Sequence, residues 1–220
     1  MQDVNNLVKE LFGIGEDTVM ETAVDVGFVA IPVVGNLYRK VKMRKFELRI
    51  KENYKQVQEI KNKIEQKENA VFYKQEVFPL IVRHLIEDEE DEKAKVIIDG
   101  FQHVVDQDIE ELERIYHYYD ILEQMRFSDL VYLFKKYEHQ YTGDPATFKV
   151  PDYRFRRYEE SDDERERRDE LYDINFYQLN KFARLTLTTE PEHRELQSLQ
   201  AGELTRFGVR FFDFFLSEDD

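Results

Sequence analysis

Apolar side chains at Phe46, Ile50, Tyr54, Val57, Ile60 and Ile64 follow one another at steps of four, four, three, three and four. This is the helical period. It paints one narrow stripe down a predicted helix of about six turns, whose other faces are mostly Lys, Glu, Gln and Asn. Such a stripe has to be covered, either by other helices of the same chain or by a second copy in a coiled-coil seam. The period continues beyond it. Val77, Phe78, Leu80, Ile81, Val82, Leu85 and Ile86 form a denser cluster around Pro79, and Ile97, Phe101, Val104 and Val105 follow. Next come Ile109, Leu112, Ile115, Tyr116, Tyr119 and Leu122, with a further helix predicted to open at Ser128 or Asp129. Asp108 with Glu111 three residues on has the form of an N-terminal capping pair. A chain built this way is mainly α.

Charge divides the chain. Residues 1–90 carry 14 basic and 16 acidic side chains, and residues 91–220 carry 18 and 31. Within the first part, residues 39–74 hold 12 basic against 5 acidic side chains. The organisation this suggests is an N-terminal helical region, 1–90, with an amphipathic basic helix, and a second domain, 91–220, with an acidic insertion near 140–170. The total of −15 disfavours indiscriminate coating of duplex DNA. With no cysteine, disulfides, thiolate nucleophiles and cysteine-ligated metals are excluded. The chain starts without a secretory signal pattern, which points to the cytoplasm. Residues 22–37 are the most apolar stretch, but Asp25, Pro32 and Gly35 interrupt it and it falls short of a bilayer span.

The last fifty residues change character. Leu171, Ile174, Phe176, Tyr177, Leu179 and Phe182 suggest a helix, after which residues 184–190 alternate like a strand. Pro191, Glu192 and His193 turn the chain, a second extended segment is predicted over 196–204, and Thr205 caps a terminal helix rich in phenylalanine. That order, with the phrase LTRFGVRFFDFF at 204–215, resembles the end of winged-helix domains. Gly208 would then sit where the last helix approaches its neighbour closely. The expected fold class is therefore mainly α, an N-terminal helical body with a small C-terminal winged-helix-like α+β unit. By that resemblance 128–137 is the helix before the turn and 171–182 the recognition helix, offering Asn175, Gln178, Asn180, Lys181 and Arg184 as candidate DNA readers. The chain departs from the pattern by its acidic insertion, and Asp169, Glu170 and Asp173 would repel phosphates. IPVVGNL at 31–37 and the terminal phrase also resemble a group of uncharacterised bacterial and prophage-associated proteins, a resemblance that implies phage or host-defence biology and no catalytic residues.

Motifs for chemistry are sparse. The histidines, His84, His103, His117, His139 and His193, form no H-E-x-x-H pattern, and no phosphate loop or nucleophile elbow occurs. Asp99, His103 and Asp106 share a helix face and are the best local arrangement for a cation, beside the acidic run 87–92, although a solvated acidic face has the same appearance. The run 87–92, six acids without a break, reads as a solvated loop leading into a helix, with a divalent-cation site as the alternative, although it lacks the ligand spacing and central Gly of a calcium loop. A basic-aromatic patch stands out at Tyr153, Arg154, Phe155, Arg156, Arg157 and Tyr158, just before eight acids crowd residues 159–170. It suits pairing with that run, a protein partner, or stacking on nucleic acid.

The function expected is non-enzymatic: a protein-interaction, inhibitor or adaptor protein with no cofactor and no metal, binding an unidentified protein and open to homo-oligomerisation through the Phe46–Ile64 stripe. Two alternatives stay open. One is a DNA-binding regulator, disfavoured by net charge. The other is a peripheral membrane factor, with Val29 and Ile31 inserted beside Arg39, Lys40 and Lys42 at anionic lipid.

Overall fold

The structure is a computed structural model describing residues 32–142, 162–194 and 198–216. Its chain divides into two compact units, residues 1–124 with 214–220, and residues 125–213. Residues on both sides of position 90 belong to the first unit.

That unit opens with α1 (Pro32–Glu52) and α2 (Tyr54–Glu65). The two are nearly continuous, parted at Asn53, whose side-chain amide donates to the Arg49 carbonyl at 2.8 Å in competition with the backbone. A short α3 (Ala70–Phe72) runs through a π-helical turn, Tyr73–Val77, into α4 (Phe78–Glu87). Pro79 lies at the start of α4, where it has no amide hydrogen to give the preceding turn and its ring crowds the carbonyl four residues back. Helices α5 (Lys93–Asp106) and α6 (Leu112–Glu123) complete the unit.

Helix α1 packs on α4, α2 on α5, and α4 on α5. Phe46, Ile50, Val57, Ile60 and Ile64 are all buried there. The narrow stripe is therefore covered by the chain's own helices, and it is not a seam open to a second copy. The aromatic side of this core comes from Tyr118, Tyr119, Phe214 and Phe215: Tyr118 stacks on Phe214 at 4.3 Å, and Tyr119 meets Phe215 edge to face at 5.6 Å. Gly100 lies in mid-helix because a Cβ there would stand 2.7 Å from the Phe215 ring and 2.8 Å from the Tyr119 hydroxyl.

The predicted capping pair does not form as expected. Asp108 has φ +51° and ends α5, with the Ile109 amide reaching back to the Val104 carbonyl at 3.0 Å, while α6 opens only at Leu112. This is a helix C-terminal motif, which an aspartate tolerates in the left-handed region.

The second unit holds α7 (Phe127–Thr142), α8 (Asp162–Arg184), two strands β1 (Glu192–Arg194) and β2 (Ser198–Gln200), and α9 (Arg206–Phe215), whose last two residues count with the first unit. Phe182, Leu187, Phe211 and Phe212 are buried. Thr205 caps α9, its hydroxyl oxygen accepting from the Gly208 amide at 2.9 Å. A Cβ on Gly208 would lie 2.0 Å from the Leu187 carbonyl oxygen, so the close approach read from the sequence holds there.

Mainly α is what the structure supports; the winged-helix-like α+β unit is not. Residues 184–190 do not form the expected strand. Thr186 takes φ +60°, and the Leu187 amide closes onto the Phe182 carbonyl at 3.0 Å, ending α8 in a turn. Extended pairing among the described residues amounts to the three-residue β1 and β2 against each other and one bridge between Thr188 and Leu204. This is a two-stranded antiparallel ribbon of three residues a side, and such a pair is marginal on its own. Helix α8 moreover begins at Asp162, so part of the expected acidic insertion is helix.

Candidate functional site

The basic residues of α1 include Lys42, which one of the alternatives read from the sequence sets at a lipid surface. Lys42, Lys45 and Arg49 recur at steps of three and four, hence on one side of the helix. That side faces the end of α4 and the acidic loop behind it. Lys42 Nζ donates to the Glu87 carbonyl at 3.0 Å and Lys45 Nζ to the Glu89 carbonyl at 3.3 Å. Arg49, only 1% exposed, spreads its guanidinium over three acceptors: the Leu85 carbonyl at 2.7 Å, the Asp88 carbonyl at 3.0 Å, and Asp91 Oδ1 at 2.6 Å. It satisfies carbonyls that the end of a helix leaves without partners. Lys93, also buried, pairs with Asp88 Oδ2 at 2.5 Å. The run 87–92 is thus not simply a solvated loop, for its backbone and two of its carboxylates are held by cations.

The basic stretch continues in the same fashion along α2. Lys63 pairs with Asp106 at 2.7 Å, Lys67 with Asp108, and Lys61 with Glu65 at 3.5 Å. Val29 and Ile31 lie outside the described residues, as do the side chains of Arg39 and Lys40. Among the described residues no helix is long and apolar enough to cross a membrane.

The face carrying Asp99, His103 and Asp106 is divided among other partners. Asp99 accepts from Gln56 at 2.7 Å and Lys95 at 2.9 Å, Asp106 is bound by Lys63, and the His103 ring lies 5.2 Å from that of Phe214. Among the described residues no group of three His, Asp or Glu side chains is placed to hold a metal ion. His84 is buried and stacked on Tyr119 at 5.1 Å, and burial, joined by the charges of Arg83 and Lys93 against that of Asp88, lowers its imidazole to about 4.

On α8, the helix that the sequence offers for reading DNA, the candidates separate. Lys181 Nζ donates to Asp129 Oδ2 at 2.7 Å and Gln178 Nε2 to Asp129 Oδ1 at 3.3 Å, so both are turned onto a buried carboxylate of α7. Burial alone would raise the Asp129 carboxyl. The hydrogen bonds from Lys181, the Arg126 amide and Gln178, with the Lys181 charge, outweigh it and hold the group below the usual carboxylate range. Asn180 donates to the Phe176 carbonyl at 2.8 Å, and Asn175 is half-buried. Arg184 is the exposed one, its guanidinium 5.9 Å from the centre of the Tyr177 ring. Tyr153, Arg154, Phe155, Arg156, Arg157 and Tyr158 lie outside the described residues.

Among its described residues α8 leaves apolar side chains in solvent as well as charged ones. Tyr177 is 59% exposed, and Leu171 and Ile174 are 48% exposed each, while Leu179 and Phe182 of the same helix are buried. Glu170 and Asp173 stand exposed at the N-terminal side of this patch and Arg184 at its C-terminal side. Leu171, Ile174 and Tyr177 belong to the apolar set from which the helix is read, alongside Leu179 and Phe182. The signal that separates two of the three is angular: at 100° per residue Ile174 and Tyr177 fall on the side of α8 away from Leu179, whereas Leu171 falls close to the direction of Phe182 and is exposed all the same.

No family model, no curated protein and no solved structure matches the chain. The resemblances to winged-helix domains and to prophage-associated bacterial proteins are corrected accordingly. They rested on phrases of a dozen residues or fewer, and terminal-helix phenylalanines with a small glycine are what any close helix packing demands.

Proposed function

We propose that this chain is a non-enzymatic protein-binding module whose binding face is the outer side of α8. One observation carries the reading: Leu171, Ile174 and Tyr177 stand together in solvent, bordered by Glu170, Asp173 and Arg184. Large apolar side chains grouped with a polar rim and an arginine-backed tyrosine are what protein interfaces are made of, where Tyr and Arg are enriched. Nucleic acid is a weaker fit for this face, since Lys181 and Gln178 are committed to Asp129 and the neighbouring Glu170 and Asp173 oppose phosphate.

The test is affinity capture of the tagged chain from the lysate of its source, treated with nuclease, beside the double variant Ile174→Asp, Tyr177→Asp. A stoichiometric protein held by the wild type and lost by a variant with unchanged helical circular dichroism supports the reading. Equal capture by both, or no partner at all, untagged copies of the chain itself included, counts against it.

A further inference from the structure

We infer that the partner of the α8 face is a second copy of this chain, docked antiparallel. The inference rests on the protein-binding reading above and names the occupant of that surface.

The argument is one of spacing and charge. Glu170, Ile174, Tyr177, Lys181 and Arg184 follow at steps of four, three, four and three. This is the 3.5-residue repeat of a helix–helix seam. In the structure the seam is ordered by chemistry along its length. Glu170 and the nearby Asp173 are exposed at one end, Ile174 and Tyr177 in the middle, and Arg184 at the other end, resting on Tyr177. From Glu170 to Arg184 the helix rises roughly 20 Å.

Two copies can meet along such a seam in two directions. Parallel docking sets Glu170 against Glu170 and Arg184 against Arg184, which is repulsive at both ends. Antiparallel docking about a twofold axis near Tyr177 places Glu170 of each copy against Arg184 of the other, with Tyr177 on Tyr177 and the Ile174 side chains flanking it. The surface is therefore complementary to itself in one orientation only, as an isologous interface requires. Lys181, which the axis would set opposite Asp173, already serves Asp129. That leaves Glu170 and Arg184 as the pair that sets direction. Two exposed apolar side chains per copy on the seam, Ile174 and Tyr177, make a small interface, so the association expected is reversible and micromolar.

The experiment is sedimentation equilibrium of the full chain over a wide loading range at low and moderate salt. A monomer–dimer equilibrium is expected for the wild type. Glu170→Lys and Arg184→Glu each weaken it about tenfold, and the double variant restores it to within about threefold, a recovery that misfolding cannot imitate. Tyr177→Asp abolishes it. A chain monomeric at every concentration, or a dimer indifferent to both charge reversals, overturns the inference. The protein-binding reading fails separately: if the wild type is monomeric while the α8 variants still lose a captured protein, only the self-docking falls.

Discussion

Arg49 shows how a single buried cation can organise two helices and a loop. Removing it leaves the Leu85 and Asp88 carbonyls without their donor and lets the acidic loop go, whereas its carboxylate partner Asp91 is exposed and can return to water. Arg49→Met should therefore cost about 3 kcal/mol in denaturant unfolding, and Asp91→Asn about 1 kcal/mol or less. Arg49→Lys should recover little, because one ammonium cannot span three acceptors. His84 governs a different condition. Its imidazole is lowered from its ordinary value near 6.5 to about 4, so the unfolded chain binds the proton first as pH falls. That stability is fully present above about pH 6.5 and is lost progressively as pH falls toward 4, the loss there reaching about 3 kcal/mol. His84→Phe, which keeps a ring against Tyr119, should flatten that part of the stability profile. An unchanged slope would show that other groups carry it. Thr186 holds a positive φ that suits glycine or asparagine, and Thr186→Asn should raise stability by about 1 kcal/mol, read as a higher denaturant midpoint.

The helices could be read from the sequence because their apolar periods are long and unbroken. The Phe46–Ile64 stripe was legible as helix, and its destination was not, since periodicity shows that a face is covered without showing by what. The kink at Asn53 and the turn at Asp108 depend on local hydrogen bonds that compete with the helix, and Asp108 carries equally good credentials as an N-cap and as a left-handed C-terminal residue. The error over 184–190 has the same root. Alternation of Leu and Thr is a strand signal only if the backbone stays extended, and the end of α8 takes Thr186 out of that region. Gly208 was legible for a reason that survives the loss of the winged-helix resemblance. A Cβ there meets a backbone oxygen, while at Gly100 it meets rings that can shift. Gly208→Ala should thus cost more than Gly100→Ala in thermal unfolding, on the order of 3 kcal/mol or more against about 1 to 3.

Taken as a molecule, the chain spends much of its conspicuous charge internally. Among the described residues, Lys42 of the stretch that suggested lipid, and Gln178, Asn180 and Lys181 of those that suggested DNA, find carbonyls and carboxylates of the same chain. None of this could be seen in composition, because net charge counts side chains without regard to which ones meet. The outer face of α8 was equally hidden, its residues being the apolar types that usually fill cores. Side-chain oxidation by hydroxyl radicals tests that face most directly, performed on the dilute chain, on the concentrated chain and on any captured complex. The account predicts that Tyr177, Ile174 and Leu171 lose reactivity on association while Tyr116 and Val71, exposed elsewhere, keep theirs. Undiminished oxidation of Tyr177 in an associated state, with protection appearing on another surface, would contradict it.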